Sequence, residues 1–260
     1  MCLINFQLHA HPKYKLVVAA NRDEFYGRPT APAAFWEDEP NLLAGRDLLG
    51  MGTWLGITKS GRFAALTNYR DPSEIAEGKI SRGEIVRDFL TGDMHAEEYL
   101  KELHENKDRY NGFNLIVGTP DELYYYSNIA GKVEKVQPGT HGLSNHLLDT
   151  PWPKVVKGTT NLRKYAEQNA DLAPKALFEI LANAEQASDE ELPETGVGID
   201  LERSLSSLFI RIPDYGTRCS TVVLVDQQNQ VTFSERTYEN GEFVKDRTFS
   251  FQIEERSFPD

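Results

Sequence analysis

MCLINFQLHAHPKYKLVVAANRDE, residues 1–24, reads as a β-hairpin that brings a nucleophile and a group of charges together. Leu3, Ile4, Phe6 and Leu8 predict a strand over 2–8, Pro12 marks a turn over 9–13, and the apolar run 15–20 predicts a second strand. Antiparallel pairing returns the end of the second strand beside the start of the first, so Asn21, Arg22, Asp23 and Glu24 are expected next to Cys2. Removal of Met1 before so small a residue would leave Cys2 with both a thiol and a free α-amine. With unperturbed pKa values of roughly 8.5 for the thiol and 7.7–8.0 for the amine, the amine can take the thiol proton. Arg22 would favour the thiolate, and Asp23 would orient the ammonium. A small buried strand cysteine followed by a solvated turn is the plain alternative.

The chain has 260 residues and a net charge of −12, with 28 basic and 40 acidic side chains. Such a balance argues against a nucleic-acid partner. No run of about 18 apolar residues is present to span a bilayer, and no secretory signal is visible at the start. One domain over 1–260 and a cytoplasmic location are expected. The two cysteines, Cys2 and Cys219, are too few for a disulfide framework. Cys219 reads as a strand residue that would reach Cys2 only if the terminal strands adjoin.

Beyond the hairpin, the Pro-rich stretch 28–40 reads as a loop carrying Phe35 and Trp36, either over a site or packed outside a sheet. Residues 51–58 and 62–68 predict two strands around the turn at 59–61. Asn68 ends the second, where its amide can face an oxyanion or cap the turn that follows. Amphipathic patterns predict helices over 81–90 and 95–110, neither with a chemical signal. Strands are expected at 113–119, 123–128 and 132–137. Tyr124, Tyr125 and Tyr126 must alternate faces, as core filling or as a stacking platform. Asp149 or Thr150 can cap a helix opened by Pro151 and running to about 168, with another helix at 174–184. Residues 185–200 form an acidic loop, 201–209 a short helix, and Arg218 opens a strongly apolar strand. A final hairpin turns at Asn240-Gly241. Periodicity by itself gives an α+β chain.

These residues resemble the NRDE family, also called the transport and Golgi organisation protein 2 family, placed among the N-terminal nucleophile hydrolases. The resemblance rests on MCL, on Asn21-Arg22-Asp23-Glu24, and on GTWLGIT (52–58), LTNYRDP (66–72), GFNLIVGT (112–119), GLSNHLLDTPWPKV (142–155) and YGTRCSTVVLV (215–225). It implies a four-layer αββα sandwich of two antiparallel sheets. It also implies an amidohydrolase or acyl transferase acting on an amide or thioester, with Cys2, Arg22, Asp23, Asn145 and Arg218 as catalytic residues. Asn145, in Leu143-Ser144-Asn145, matches the oxyanion-hole amide of cholylglycine-type enzymes, and Arg218 their late arginine. Asn21, Asn68 and Trp54 are expected against a small-molecule substrate. No metal or cofactor is required. The alternative implied by the family is a carrier, linked to haem trafficking or to acyl-CoA and lipid, in which Cys2, His9 or His11 would ligate iron. One departure stands out. The cholylglycine-type Arg and Asp are two residues apart, whereas Arg22 and Asp23 are adjacent and face opposite sides of a regular strand unless a bulge intervenes.

Overall fold

The computed structural model describes residues 2–254. In chain order come β1 (Cys2–Leu8), β2 (Tyr14–Phe25), β3 (Thr30–Phe35), β4 (Leu42–Asp47), β5 (Leu55–Thr58) and β6 (Phe63–Asn68). Helices α1 (Arg82–Thr91) and α2 (Ala96–Glu105) precede β7 (Phe113–Thr119), β8 (Glu122–Ser127), β9 (Lys132–Lys135) and β10 (Gly139–Leu143). Then follow α3 (Pro153–Gln168), α4 (Pro174–Leu181), α5 (Ile199–Ser204), β11 (Arg211–Ile212), β12 (Tyr215–Asp226), β13 (Gln230–Glu239) and β14 (Glu242–Gln252).

All seven residues of β1 are buried, as for a strand covered on both faces. Its even positions, Cys2, Ile4, Phe6 and Leu8, enter the core between two sheets. Leu3 points the other way, onto Trp152 and Val155. One sheet runs β10-β1-β2-β12-β13-β14, with β11 on β12; the other runs β3 to β9 in sequence order, and every pairing is antiparallel. Helices α1 and α2 cover the outer face of the second sheet through Ile85, Phe89, Leu100 and Leu103. Helices α3 and α4 cover the first through Leu162, Leu177 and Phe178. The result is the αββα sandwich.

Several expectations are corrected. Over 30–35 the Pro-rich stretch is a strand rather than a loop: β3 pairs with β4, and Pro32 sits at a break in register between Ala31 and Ala34 on an edge strand, where a missing N–H is tolerated. Trp36 packs under α1, its indole N–H donating to the Ala44 carbonyl at 3.1 Å and the Arg46 guanidinium stacking on its ring. Neither Asp149 nor Thr150 caps α3, whose N-cap is Trp152. Asp149 instead accepts from the Gly142 N–H at 2.8 Å and from His141 at 2.7 Å. Tyr125 enters the inter-sheet core, while Tyr126 faces the helices, so the run fills core on both sides. No helix among the described residues is long and apolar enough to cross a membrane.

Candidate active site

Strand pairing sets the site. Cys2 lies opposite Arg22, Arg22 opposite Cys219, and Cys219 opposite Thr237, one row across four strands on the inner face of the first sheet. This row walls a cleft of about 620 Å³ whose opposite wall holds Asp47, Trp54, Asn68 and Arg82.

Cys2 is 7% exposed. Burial pushes its thiol up, and the Asp23 carboxylate adds to this; Arg22 and the Asp23 main-chain N–H, which donates to the sulfur, pull it down. Arg22 acts in the expected direction but burial outweighs it, so the resting group is the thiol. Cys219 donates its S–H to Glu235, and burial with that carboxylate pushes its thiol well up. The two cysteines lie two strands apart, about 10 Å, beyond the roughly 7 Å Cα separation a disulfide can bridge; both are free thiols.

The anticipated bulge exists, but on the neighbouring strand. Opposite Thr217, Asp23 keeps its place on β2, while β12 gains a residue at Arg218 before Cys219 meets Arg22. Arg22 and Asp23 therefore do project to opposite faces. Asp23 is buried, accepting from Thr217 Oγ1 at 2.7 Å, and its carboxyl is pushed up by burial against the opposing pull of Lys154. The bulge lets Arg218 and Cys219 both line the cleft. Arg218 forms no ion pair with Asp23 or Asp214; its guanidinium donates to the Phe25 and Arg28 carbonyls at 2.8 and 3.0 Å. It thereby ties the β2–β3 connection to β12.

Asn68 and Trp54 line the cleft as expected. Asn21 does not. It lies opposite Leu3, fully buried on the helix side, donating to the Leu181 and Leu208 carbonyls at 3.0 and 2.8 Å and accepting from Ser220 at 2.6 Å. Asn145 is also fully buried, behind the cleft wall rather than on it. Its amide N–H donates to the Asn68 carbonyl at 3.0 Å, and its Oδ1 accepts from Ser144, Lys154 and Arg70.

Residues not singled out from the sequence complete the arrangement. Arg82 starts α1, a helix whose pattern shows only core packing, and its guanidinium donates to the Gly112 carbonyl at 2.9 Å. Glu235 is buried against the cleft, accepting from the Ala33 N–H at 2.7 Å, and burial pushes its carboxyl up. Behind Asp23, Arg70 and Glu202 form a buried pair at 2.6 Å. Lys154, 1% exposed, is pushed down to about 7 by burial and by Arg70. Of these, Arg70 lies in LTNYRDP and Lys154 in GLSNHLLDTPWPKV; Arg82, Glu202 and Glu235 lie in no such motif. His9 and His11 lie at the other end of β1, roughly 20 Å from Cys2 at strand rise, bonded to the Asp121 and Asn169 carbonyls. Among the described residues no three His, Cys, Asp or Glu side chains are grouped to hold a metal.

An αββα sandwich with a cysteine heading an inner strand and turned into a cleft defines the class: an N-terminal-nucleophile-hydrolase fold. A solved structure with this architecture, the mutant C2A conjugated bile acid hydrolase from Clostridium perfringens, matches with a TM-score of 0.53, covering 97% of this chain and 98% of that one at 11% identity. The sequence profile described as Transport and Golgi organisation 2 matches residues 1–240, and the chain belongs to that family. The Transport and Golgi organization protein 2 homolog of Bos taurus is 41% identical, covering 91% of this chain and 93% of its own. The human homolog is 36% identical over 98% of this chain and 100% of its own.

Proposed function

We propose that this protein is an N-terminal-cysteine hydrolase or acyl transferase acting on an amide or thioester through Cys2. The observation that carries the reading is the Cys2 thiol in the cleft, opposite Arg22 and accepting the Asp23 N–H. Met1 lies outside the described residues; its removal is part of the proposal. The Cys2 amine takes the thiol proton as sulfur attacks the acyl carbonyl, and passes it to the departing amine or thiol. A thioester remains on Cys2. Water, or an acceptor nucleophile, then attacks that thioester, losing its proton through the same amine and restoring the thiol. Asn68 faces the cleft and is the nearer candidate for the oxyanion, with Asn145 holding its main chain from behind.

A second reading has its own support. Arg22, Arg82 and Arg218 surround the cleft; Arg22 has a long ion pair with Glu24 at 3.7 Å, and the other two bond mainly carbonyls. In a chain of net charge −12, this cleft favours an anionic ligand and suits a binding protein as well as an enzyme. Of the iron ligands the carrier reading offers, only Cys2 lines the cleft; His9 and His11 are remote from it.

Intact-mass measurement of the native protein before and after exposure to a panel of acyl thioesters and amides separates the readings. Loss of the Met1 mass with an acyl adduct on Cys2 is expected. Retained Met1 with no adduct overturns the catalytic reading and favours the carrier.

A further inference from the structure

Lys154 stands in an unfavourable place for an ammonium. It is the second residue of α3, where the positive end of the helix dipole opposes a cation. It is also buried, which penalises a charge without a counterpart. One hydrogen bond and one charge effect bear on its place there. Its Nζ donates to Asn145 Oδ1 at 3.3 Å, and Asn145 in turn donates to the carbonyl of Asn68, a residue of the cleft wall. Its charge also acts on the Asp23 carboxylate and the Cys2 sulfur through the sheet.

The groups facing Lys154 are Cys2 on β1, Asp23 on β2, Arg70 after β6 and Glu202 on α5, with Tyr215 of β12 adjoining Asp23. Arg70 and Glu202 neutralise each other at 2.6 Å. That leaves Asp23 as the counter-charge of Lys154. Among the side chains acting on Asp23, Lys154 is also the strongest influence toward the carboxylate. Each favours the charged form of the other, against the burial that pushes both toward their neutral forms, so their titrations are linked.

We propose that Lys154 is a positioning residue of the Cys2 site, fixing Asn145 by its hydrogen bond and directing its charge toward Asp23 from behind the sheet. The inference rests on Cys2 being the reactive group. Its role is to hold the main chain of Asn68 and the strand end at Asp23 in register with the sulfur, without touching substrate.

Two measurements on the full chain test it. The first is a pH titration of the native protein labelled with ¹³C at lysine Cε, followed by NMR. One lysine is expected to titrate near neutral pH, to vanish in Lys154→Arg, and to move down by at least about one pH unit in Asp23→Asn, where the carboxylate that favours its protonation is gone. A lysine set titrating wholly above about pH 9, or a neutral one unmoved by Asp23→Asn, overturns the coupling. The second follows Cys2 alkylation by iodoacetamide, read by mass, against pH. Beside the inflection of the Cys2 amine, the native profile is expected to carry a second one near neutral pH that Lys154→Arg, with its fixed cation, removes. A profile identical in that variant overturns the positioning role alone. No alkylation of native Cys2 at any pH overturns the reading of Cys2 as reactive, and this inference with it.

Discussion

Arg22 and Asp23 are neighbours in sequence and strangers in space, and the difference is a matter of strand parity. Cys2 opposite Arg22 puts the guanidinium beside the sulfur; the next residue must face the helices. The same parity removes Asn21 from the substrate side, a consequence that follows from register. Register was not legible from NRDE itself, because a one-residue slip exchanges every side chain between faces. Asn21→Leu is therefore expected to act on stability rather than on ligand binding. It strands the Leu181 and Leu208 carbonyls without their donor, which costs about 1–3 kcal/mol and lowers the thermal midpoint by roughly 2–12 °C. Calorimetry together with a binding titration checks both halves. The two thiols also separate at this scale. Cys2→Ala should abolish acyl-adduct formation, whereas Cys219→Ala should keep it, since the Cys219 S–H is committed to Glu235 and its thiolate is disfavoured. Adduct on the Cys2→Ala protein would relocate the nucleophile.

At the scale of elements, most strands and helices were legible because their periods of two and 3.6 residues are long and clean, as in β7, β12 and α1. The stretch 28–40 was misread because proline argues against a strand, yet an edge strand with a register break accommodates Pro32. Gly52 shows what a motif conceals. In GTWLGIT it falls in the strand expected over 51–58, but the strand begins only at Leu55, and a Cβ on Gly52 would lie 2.4 Å from the main-chain carbon and oxygen of Gly83 in α1. Two glycines let the segment before β5 run against the first turn of α1, with the Thr53 N–H on the Gly83 carbonyl at 3.2 Å. This contact holds Trp54 and Arg82 on one wall of the cleft. Gly52→Ala must separate main chain from main chain, so it is expected to cost at least about 1–3 kcal/mol and to weaken cleft binding by displacing Arg82. Urea midpoints and ligand titration of the variant read the two effects; unchanged values in both would show that the contact yields freely.

For the whole molecule, the stacking of the sheets was not legible from pattern at all, since antiparallel strands and four main helices are compatible with many α+β arrangements; the family resemblance supplied it. One residue that no pattern marked, Glu235, joins the sheets at the cleft: from β13 it accepts the Ala33 N–H of β3 and the Cys219 S–H. Burial raises its carboxyl in the folded chain, as it does that of Asp23. The folded state then holds these protons more tightly than the unfolded state. Their contribution to stability is present in full below the unfolded carboxylate values of about 4 and is lost as pH rises through the folded ones. Lys154 has the opposite sign. Its folded value near 7 lies below the unfolded value of about 10.4, so it costs stability below neutral pH and stops costing it as pH climbs toward 10.4. Glu235→Gln keeps an acceptor for Ala33 while removing the ionisation. Its urea midpoint at pH 8 should match or exceed that of the native chain, and its decline between pH 5 and pH 8 should be smaller. A steeper decline in the variant would mean that ionised Glu235 stabilises the junction, with Arg22 and Arg247, the cations acting on it, outweighing its burial.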